Sequence, residues 1–264
     1  MTRNLKQADS DTKYGKSRQQ IIAAAEKLMA QKGVYATSLR EINQVAKQKN
    51  ASSIHYHFVN RDGLIRAILE SHISEVETHR LRMLEKTEKT YYLNDDKVLK
   101  TMDHEKRIVV IRELIKVFIL PLKAKLETKS GRYYIKILQE LIFSGKSEIA
   151  GTKAPQTFDD LINFTNGIKT TTTYILKLAP NLPLDVVLLR GKLIARLIIT
   201  ALADLIPDME KVNLTSGSVL NRTKDLMPVD IDLVVENLTD VTVAIVLFPV
   251  SEPTMQLLRK TSVN

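Results

Sequence analysis

The sequence predicts an all-α chain: a small N-terminal unit of three short helices, then a larger helical domain. Three observations carry this. Apolar residues recur at threes and fours along nearly every ordered stretch, the spacing that gathers them on one face of a helix. Clusters rich in Gly, Pro, Asn and Asp at 94–96, 145–155, 180–183 and 207–228 punctuate those stretches. The stretch richest in strand-forming residues, 234–246, still keeps a helical stripe through Ile231, Val234, Val235, Leu238, Val241 and Ile245, broken only where Thr242 stands. A lone strand in such a chain would have no ladder partner.

The elements follow in order. Residues 1–16 are polar and mixed in charge and read as a flexible basic arm. Ser17 is placed to cap the first helix, with Ile21, Ile22, Ala25, Leu28 and Met29 as its inner face and Gly33 as its stop. Thr37 or Ser38 caps the second helix, which turns Leu39, Ile42, Val45 and Ala46 inward. A polar turn over 47–50 leads to a third helix over 51–57, with Ile54 and Phe58 facing inward. Asn60 caps a long helix, 60–90. Further helices are expected over 103–126, 131–143, 158–178, 184–205 and 230–248, with Pro121 kinking or dividing the first of these. The domain plan is an arm (1–16), a three-helix domain (17–62), a larger helical domain (63–250) and a tail (251–264).

Composition narrows the function. The chain has 264 residues, 44% of them hydrophobic, enough for a real core and for one large or two modest domains. It has no cysteine, which removes disulfides, thiolate metal sites and thiol catalysis. No apolar run opens the chain as a signal peptide would, and 241–250 is too short to span a bilayer, so no membrane partner is expected. The net charge of +9 is uneven. Residues 1–61 hold 11 Lys or Arg against 4 Asp or Glu, a net +7, whereas 228–264 hold 2 against 5, a net −3. That polarity points to a polyanion at one end of the molecule. A solvated basic surface explains the charge equally well.

The third helix decides between them. Its outer side carries Ala51, Ser52, Ser53, His55 and Tyr56. Serine hydroxyls can bond to base edges or phosphate oxygens, and an alanine can meet a thymine methyl in the major groove. His55 and Tyr56 suit phosphate contacts, which position a domain without reading sequence. Ser38 and Arg40 open the second helix, whose free N–H groups favour a phosphate. Lys47, Lys49 and Asn50 border the third helix, and Arg61 can clamp backbone beyond it. Each has a plainer reading. Ser38 can be only a cap, His57 a buttress for the helix junction, Tyr56 a packing residue against helix one, and Arg40 a partner for a nearby carboxylate.

The stretches 21–29 (IIAAAEKLM), 33–42 (GVYATSLREI), 54–58 (IHYHF) and 60–65 (NRDGLI) together resemble the DNA-binding domain of the TetR/AcrR family of bacterial transcriptional repressors. The resemblance implies a helix-turn-helix whose third helix enters the major groove, with its first residues, about Asn50 to Ser53, on bases. It implies a phosphate contact at His55, where a tyrosine is usual, and another at Arg61, where a lysine is usual. It also implies a cytoplasmic, nucleoid-associated bacterial protein that binds double-stranded DNA as a homodimer. Two departures stand out: Asn43 where the family has alanine, and a turn at 47–50 that lacks the usual glycine and is one residue longer.

The remainder resembles the effector-binding and dimerisation domain of the same family, through 174–204. The resemblance implies a four-helix interface built from the last two helices of each protomer, here 184–205 and 230–248, with Leu189, Leu193, Leu197, Leu238, Val241 and Ile245 as interface candidates. Apolar residues on 184–205 cover more than one stripe, as a helix buried on two sides needs; a single thick intrachain core is the alternative. Met102, Phe118, Tyr134, Phe143, Phe164 and Tyr174 are candidate contacts for a small apolar or amphipathic effector, and equally candidate core. His72 and His79 are expected at the surface on the family reading. No catalytic motif, cofactor loop or metal-ligand spacing is found, so neither an enzyme nor a cofactor or metal is expected. The rival is an architectural DNA-binding protein, which explains the charge but not the large apolar domain.

Overall fold

The computed structural model describes residues 13–48, 50, 52–143, 165–179, 182–206 and 230–261. Among them every regular element is helical: α1 (Lys13–Lys32), α2 (Leu39–Val45), α3 (Ser53–Phe58), α4 (Arg61–Tyr91), α5 (Asp96–Thr101), α6 (His104–Lys123), a 3-10 turn (Ala124–Glu127), α7 (Lys129–Phe143), α8 (Asn166–Leu178), α9 (Leu184–Asp204), α10 (Ile231–Leu247) and α11 (Glu252–Thr261). The chain divides into two compact units. One holds Met1–Thr78, Leu122–Phe164 and Leu202–Val219; the other holds His79–Pro121, Thr165–Ala201 and Leu220–Asn264.

In the first unit α1, α2 and α3 pack through Ile21, Met29, Ile42 and Ile54, all at or below 2% exposure, as their spacing requires. The expected cap at Ser17 does not hold. The helix has already begun by Lys13, so Ser17 lies inside α1, and its hydroxyl donates to Gln48 Oε1 at 2.7 Å. Residues 13–16 therefore belong to α1 rather than to an arm. Gly33 ends the helix at φ 104, a backbone that favours glycine.

The link from α2 to α3 closes on itself. Lys47 N–H donates to Gln44 O and Gln48 N–H to Asn43 O, with Lys47 at φ 53, which makes a Schellman ending. The left-handed residue is a lysine, in a turn where the resemblance implies a glycine, and an L side chain in that conformation costs about 1 kcal/mol. Lys47→Gly is therefore expected to raise the thermal midpoint by a few degrees, measured by circular dichroism; a lowered midpoint would contradict this account of the turn.

The link from α3 to α4 is tighter. Asn60 N–H donates to Phe58 O at 2.8 Å across Val59, which sits at φ 68 and ψ −50. This is a γ-turn with a positive central φ, a strained form. Asn60 then caps α4, its side chain accepting from Gly63 N–H at 2.9 Å, as the sequence suggests.

The 3-10 turn and α7 also belong to the first unit, and the second holds the end of α4, α5, most of α6, α8, most of α9, α10 and α11. α5 was not expected; it is a six-residue helix capped by Asp95, which accepts from Lys97 N–H at 2.8 Å. Pro121 does not divide α6, which runs on to Lys123 before tightening into the 3-10 turn. α10 is a helix despite its β-branched residues. Thr239 and Thr242 are fully buried and return their hydroxyls to Val235 O and Leu238 O, each at 2.7 Å, so a polar residue is tolerated inside. Arg112 on α6 pairs with Asp240 and, at 2.5 Å, with Glu236 on α10, which Lys116 also reaches at 3.0 Å. The expected tail is mostly helical: α11 follows α10 at 59°. No single described helix is long and apolar enough to cross a membrane.

Candidate nucleic-acid interface

α3 has two sides with different chemistry. Ile54 and Phe58 are 2% and 6% exposed, and the Arg18 guanidinium lies 5.2 Å from the Phe58 ring centre. Opposite them, Asn50, Ser52 and His55 are exposed and Tyr56 is 73% exposed. Tyr56 thus points to solvent rather than packing on α1. The helix starts at Ser53, two residues later than expected. Asn50 organises the approach: its side chain accepts from Ser52 N–H at 2.9 Å, and its carbonyl accepts from the Ser53 hydroxyl at 2.7 Å. Ser52 makes no side-chain cap bond. Lys49 and Ala51 lie outside the described residues.

His57 is the buttress that the plainer reading anticipates. Its Nε2 is 3.3 Å from Ser17 Oγ on α1, and burial, followed by the charge of Arg18, pushes its pKa below the usual 6.5. A ring held neutral in this way is no cation for a phosphate.

The start of α2 differs from expectation. Ser38 N–H donates to Glu41 Oε2 at 2.9 Å, and Glu41 N–H donates to Ser38 Oγ at 3.1 Å, a complete capping box. The Ser38 N–H, with further help from Lys32 and the Ser38 hydroxyl, holds the Glu41 carboxyl down to about 2. The phosphate expected at this helix start therefore meets an anion already supplied by the chain. Arg40 remains exposed beside it. Arg61 is also partly engaged: its Nη1 donates to Val34 O at 2.7 Å.

Glu26, Ser130 and Glu140, together with His72, hold this unit together. Glu26 is buried and accepts from the Ser130 hydroxyl at 2.9 Å, with His72 Nε2 2.7 Å away. The expectation of a surface His72 is overturned, since it is 7% exposed and stacks on Tyr134 at 4.5 Å. Glu140 accepts from Val34 N–H at 2.7 Å. The signal for Glu26 and His72 was present: Ile22, Ala25, Glu26 and Met29, and Ile65, Ile68, Leu69, His72 and Val76, follow helical core spacing. Nothing local marks Glu140.

A basic three-helix unit that buries one side of a short third helix and offers the other as hydroxyl, imidazole and phenol is a helix-turn-helix domain. Residues 21–68 match the family model of the bacterial regulatory proteins of the tetR family. The N-terminal domain is thus a TetR-family helix-turn-helix domain. The match supports the general regulatory role of that family, in which DNA and a second protomer are the implied partners. No curated protein matches the chain.

The other candidates lie as follows. On α9, Leu189 and Leu193 are 62% and 56% exposed and Leu197 is half-buried; on α10, Val241 is 42% exposed, Ile245 is half-buried and Leu238 is buried at 4%. Leu238 thus faces its own unit. Of the effector candidates, Tyr134 and Met102 are buried, Phe118 is half-buried and Phe143 is 59% exposed. Phe164 lies outside the described residues. Tyr174 is buried, with its hydroxyl between Glu88 Oε1 at 2.9 Å and Asn94 Oδ1 at 2.5 Å; burial first, then Glu88, pushes it up to about 12. Glu85, Glu88, Lys89, Tyr92, Asn94 and Asp95 line an open cleft of about 470 Å³ beside it, and none of the effector candidates lines that cleft.

Proposed function

We propose that this protein is a TetR-type transcriptional repressor that binds a palindromic operator as a dimer and is released by a small apolar or amphipathic effector. The observation that carries the DNA reading is the outward face of α3 and of its approach, with Asn50, Ser52, His55 and Tyr56 exposed on the basic, family-matched domain. Asn50, Ser52 and Ser53 would meet base edges, and His55, Tyr56, Arg40 and Lys47 phosphates. One such helix reads few bases, so two related by a twofold axis read both halves of a palindrome.

The dimer reading rests on exposed apolar surface. Leu233 and Val241 on α10 and Phe248, which caps its end, are 66%, 42% and 67% exposed, and with Asn237 and Ala244 they fall at the three-and-four spacing of a helix seam. Leu189, Leu193 and Leu197 give α9 a similar stripe. Effector binding in the second unit would reach the DNA-binding unit along α4, which contributes residues to both. A coupling of about 1–3 kcal/mol is enough to change operator affinity roughly 5- to 150-fold.

The test begins with selection of bound fragments from random duplex DNA. Anisotropy titrations on the selected and scrambled duplexes follow. Ser52→Ala is expected to lower affinity for the selected sequence by about 1 kcal/mol and to leave the scrambled duplex unchanged. Tyr56→Phe should weaken both alike. Equal affinity of the wild type for all duplexes would favour the architectural alternative.

A further inference from the structure

Val34 is gripped on both sides. Its N–H donates to Glu140 Oε2 of α7 at 2.7 Å, and its carbonyl accepts from Arg61 Nη1 of α4 at 2.7 Å. Its side chain is fully buried. Val34 begins the loop that delivers α2: Thr37, three residues on, returns its hydroxyl to Gly33 O at 2.9 Å and precedes the Ser38 cap. Arg61 is the first residue of α4 and directly follows the γ-turn that ends α3. One residue therefore ties together the entry to α2, the exit from α3, and α7. The other end of α7 is fixed independently, through the Ser130 hydroxyl on Glu26.

We propose that Glu140 is a positioning residue for DNA recognition. Through Val34 it fixes the loop from which the helix-turn-helix is hung, and it touches no DNA itself. This rests on the DNA-binding reading above. Without the Glu140 acceptor the Val34 N–H loses its partner, and the loop can satisfy it only by moving. That movement displaces α2 and α3 together relative to Arg61.

The sign of the effect separates positioning from charge. Glu140→Ala and Glu140→Gln both remove a negative charge from a basic domain, which alone would strengthen attraction to a polyanion. Glutamine keeps an oxygen acceptor for Val34 N–H, and alanine does not. Below the melting transition, Glu140→Ala is expected to bind the selected duplex about tenfold more weakly, the factor set by 1.4 kcal/mol. Glu140→Gln should bind at least as well as wild type. The salt slope should stay that of wild type in both, since no phosphate contact is lost. Amide exchange at Val34 should be slow in wild type and Glu140→Gln and fast in Glu140→Ala. Wild-type or tighter binding by Glu140→Ala would overturn the proposal, as would a glutamine variant as weak as the alanine one. If the wild type binds no duplex, the DNA reading fails, and the Val34 exchange rates decide the grip by themselves: unchanged exchange in Glu140→Ala refutes it.

Discussion

Replacing Leu189 and Leu193 together with aspartate is expected to turn the protein into a monomer and to lower operator affinity by about two orders of magnitude or more. Both side chains are more than half exposed, at 62% and 56%, whereas Val186, Ile194 and Ile198 on the same helix are buried in its own unit. The chain's own core therefore has no use for them. In a twofold dimer each substitution counts twice. Burying the exposed part of one such leucine contributes about 1–2 kcal/mol, so four contribute roughly 4–8 kcal/mol, a sizeable share of the free energy that holds a nanomolar complex together. Aspartate reverses the contribution by placing four charges in an apolar seam. Sedimentation equilibrium reads the mass and anisotropy reads the binding. The folded monomer should keep its helical circular-dichroism signal, because these positions are already wetted within one chain. A double variant that remains dimeric would move the interface elsewhere. A wild type that is monomeric while still binding DNA tightly would remove the twofold mechanism altogether.

Gly63→Ala is expected to damage the DNA-binding unit severely. A Cβ at this position would stand 2.0 Å from Phe58 O and 3.1 Å from Phe58 C. The oxygen cannot retreat cheaply: it accepts from Asn60 N–H at 2.8 Å in the γ-turn, and the Phe58 side chain is buried beneath Arg18. Relief requires α3 to separate from α4. A cost of about 3 kcal/mol is expected, the upper part of the usual overpacking range. For a chain of this size that lowers the thermal midpoint by roughly 10 °C. Gly191→Ala provides the control, since nothing lies within 4 Å of its added Cβ. Alanine there should be neutral or stabilising by up to about 1 kcal/mol. Equal midpoints for the two variants would mean that the close approach of Gly63 to Phe58 does not exist in solution.

Several parts of the fold were legible in advance because their causes are local. Ile54 and Phe58 fall four apart and are both buried. Asn60 caps α4, Gly33 stops α1, and Ser38 caps α2. Even α10, written in β-branched residues, announces itself as a helix through its spacing. The misreadings have equally physical causes. Ser17 looks like a cap because serine favours caps, yet its hydroxyl is drawn to Gln48, 31 residues on. Ser38 and Arg40 look like a phosphate site because a helix start favours an anion, yet Glu41 folds back to supply one. Family resemblance puts His72 at the surface, yet its spacing with Ile65, Ile68 and Val76 turns it inside.

The sequence by itself determined most of the helical periods, the stop at Gly33, the caps at Ser38 and Asn60, the concentration of positive charge in the first 61 residues and the polar face of α3. Each is a property of neighbours within a turn or two, where propensity and spacing act. Only the tertiary structure decided that Glu26 would meet His72 and Ser130, that Glu140 would reach Val34 across 106 residues, and that Leu189 and Leu193 would be left in water. Those outcomes depend on which faces the packing of whole helices brings together, and a one-dimensional pattern does not encode that choice residue by residue.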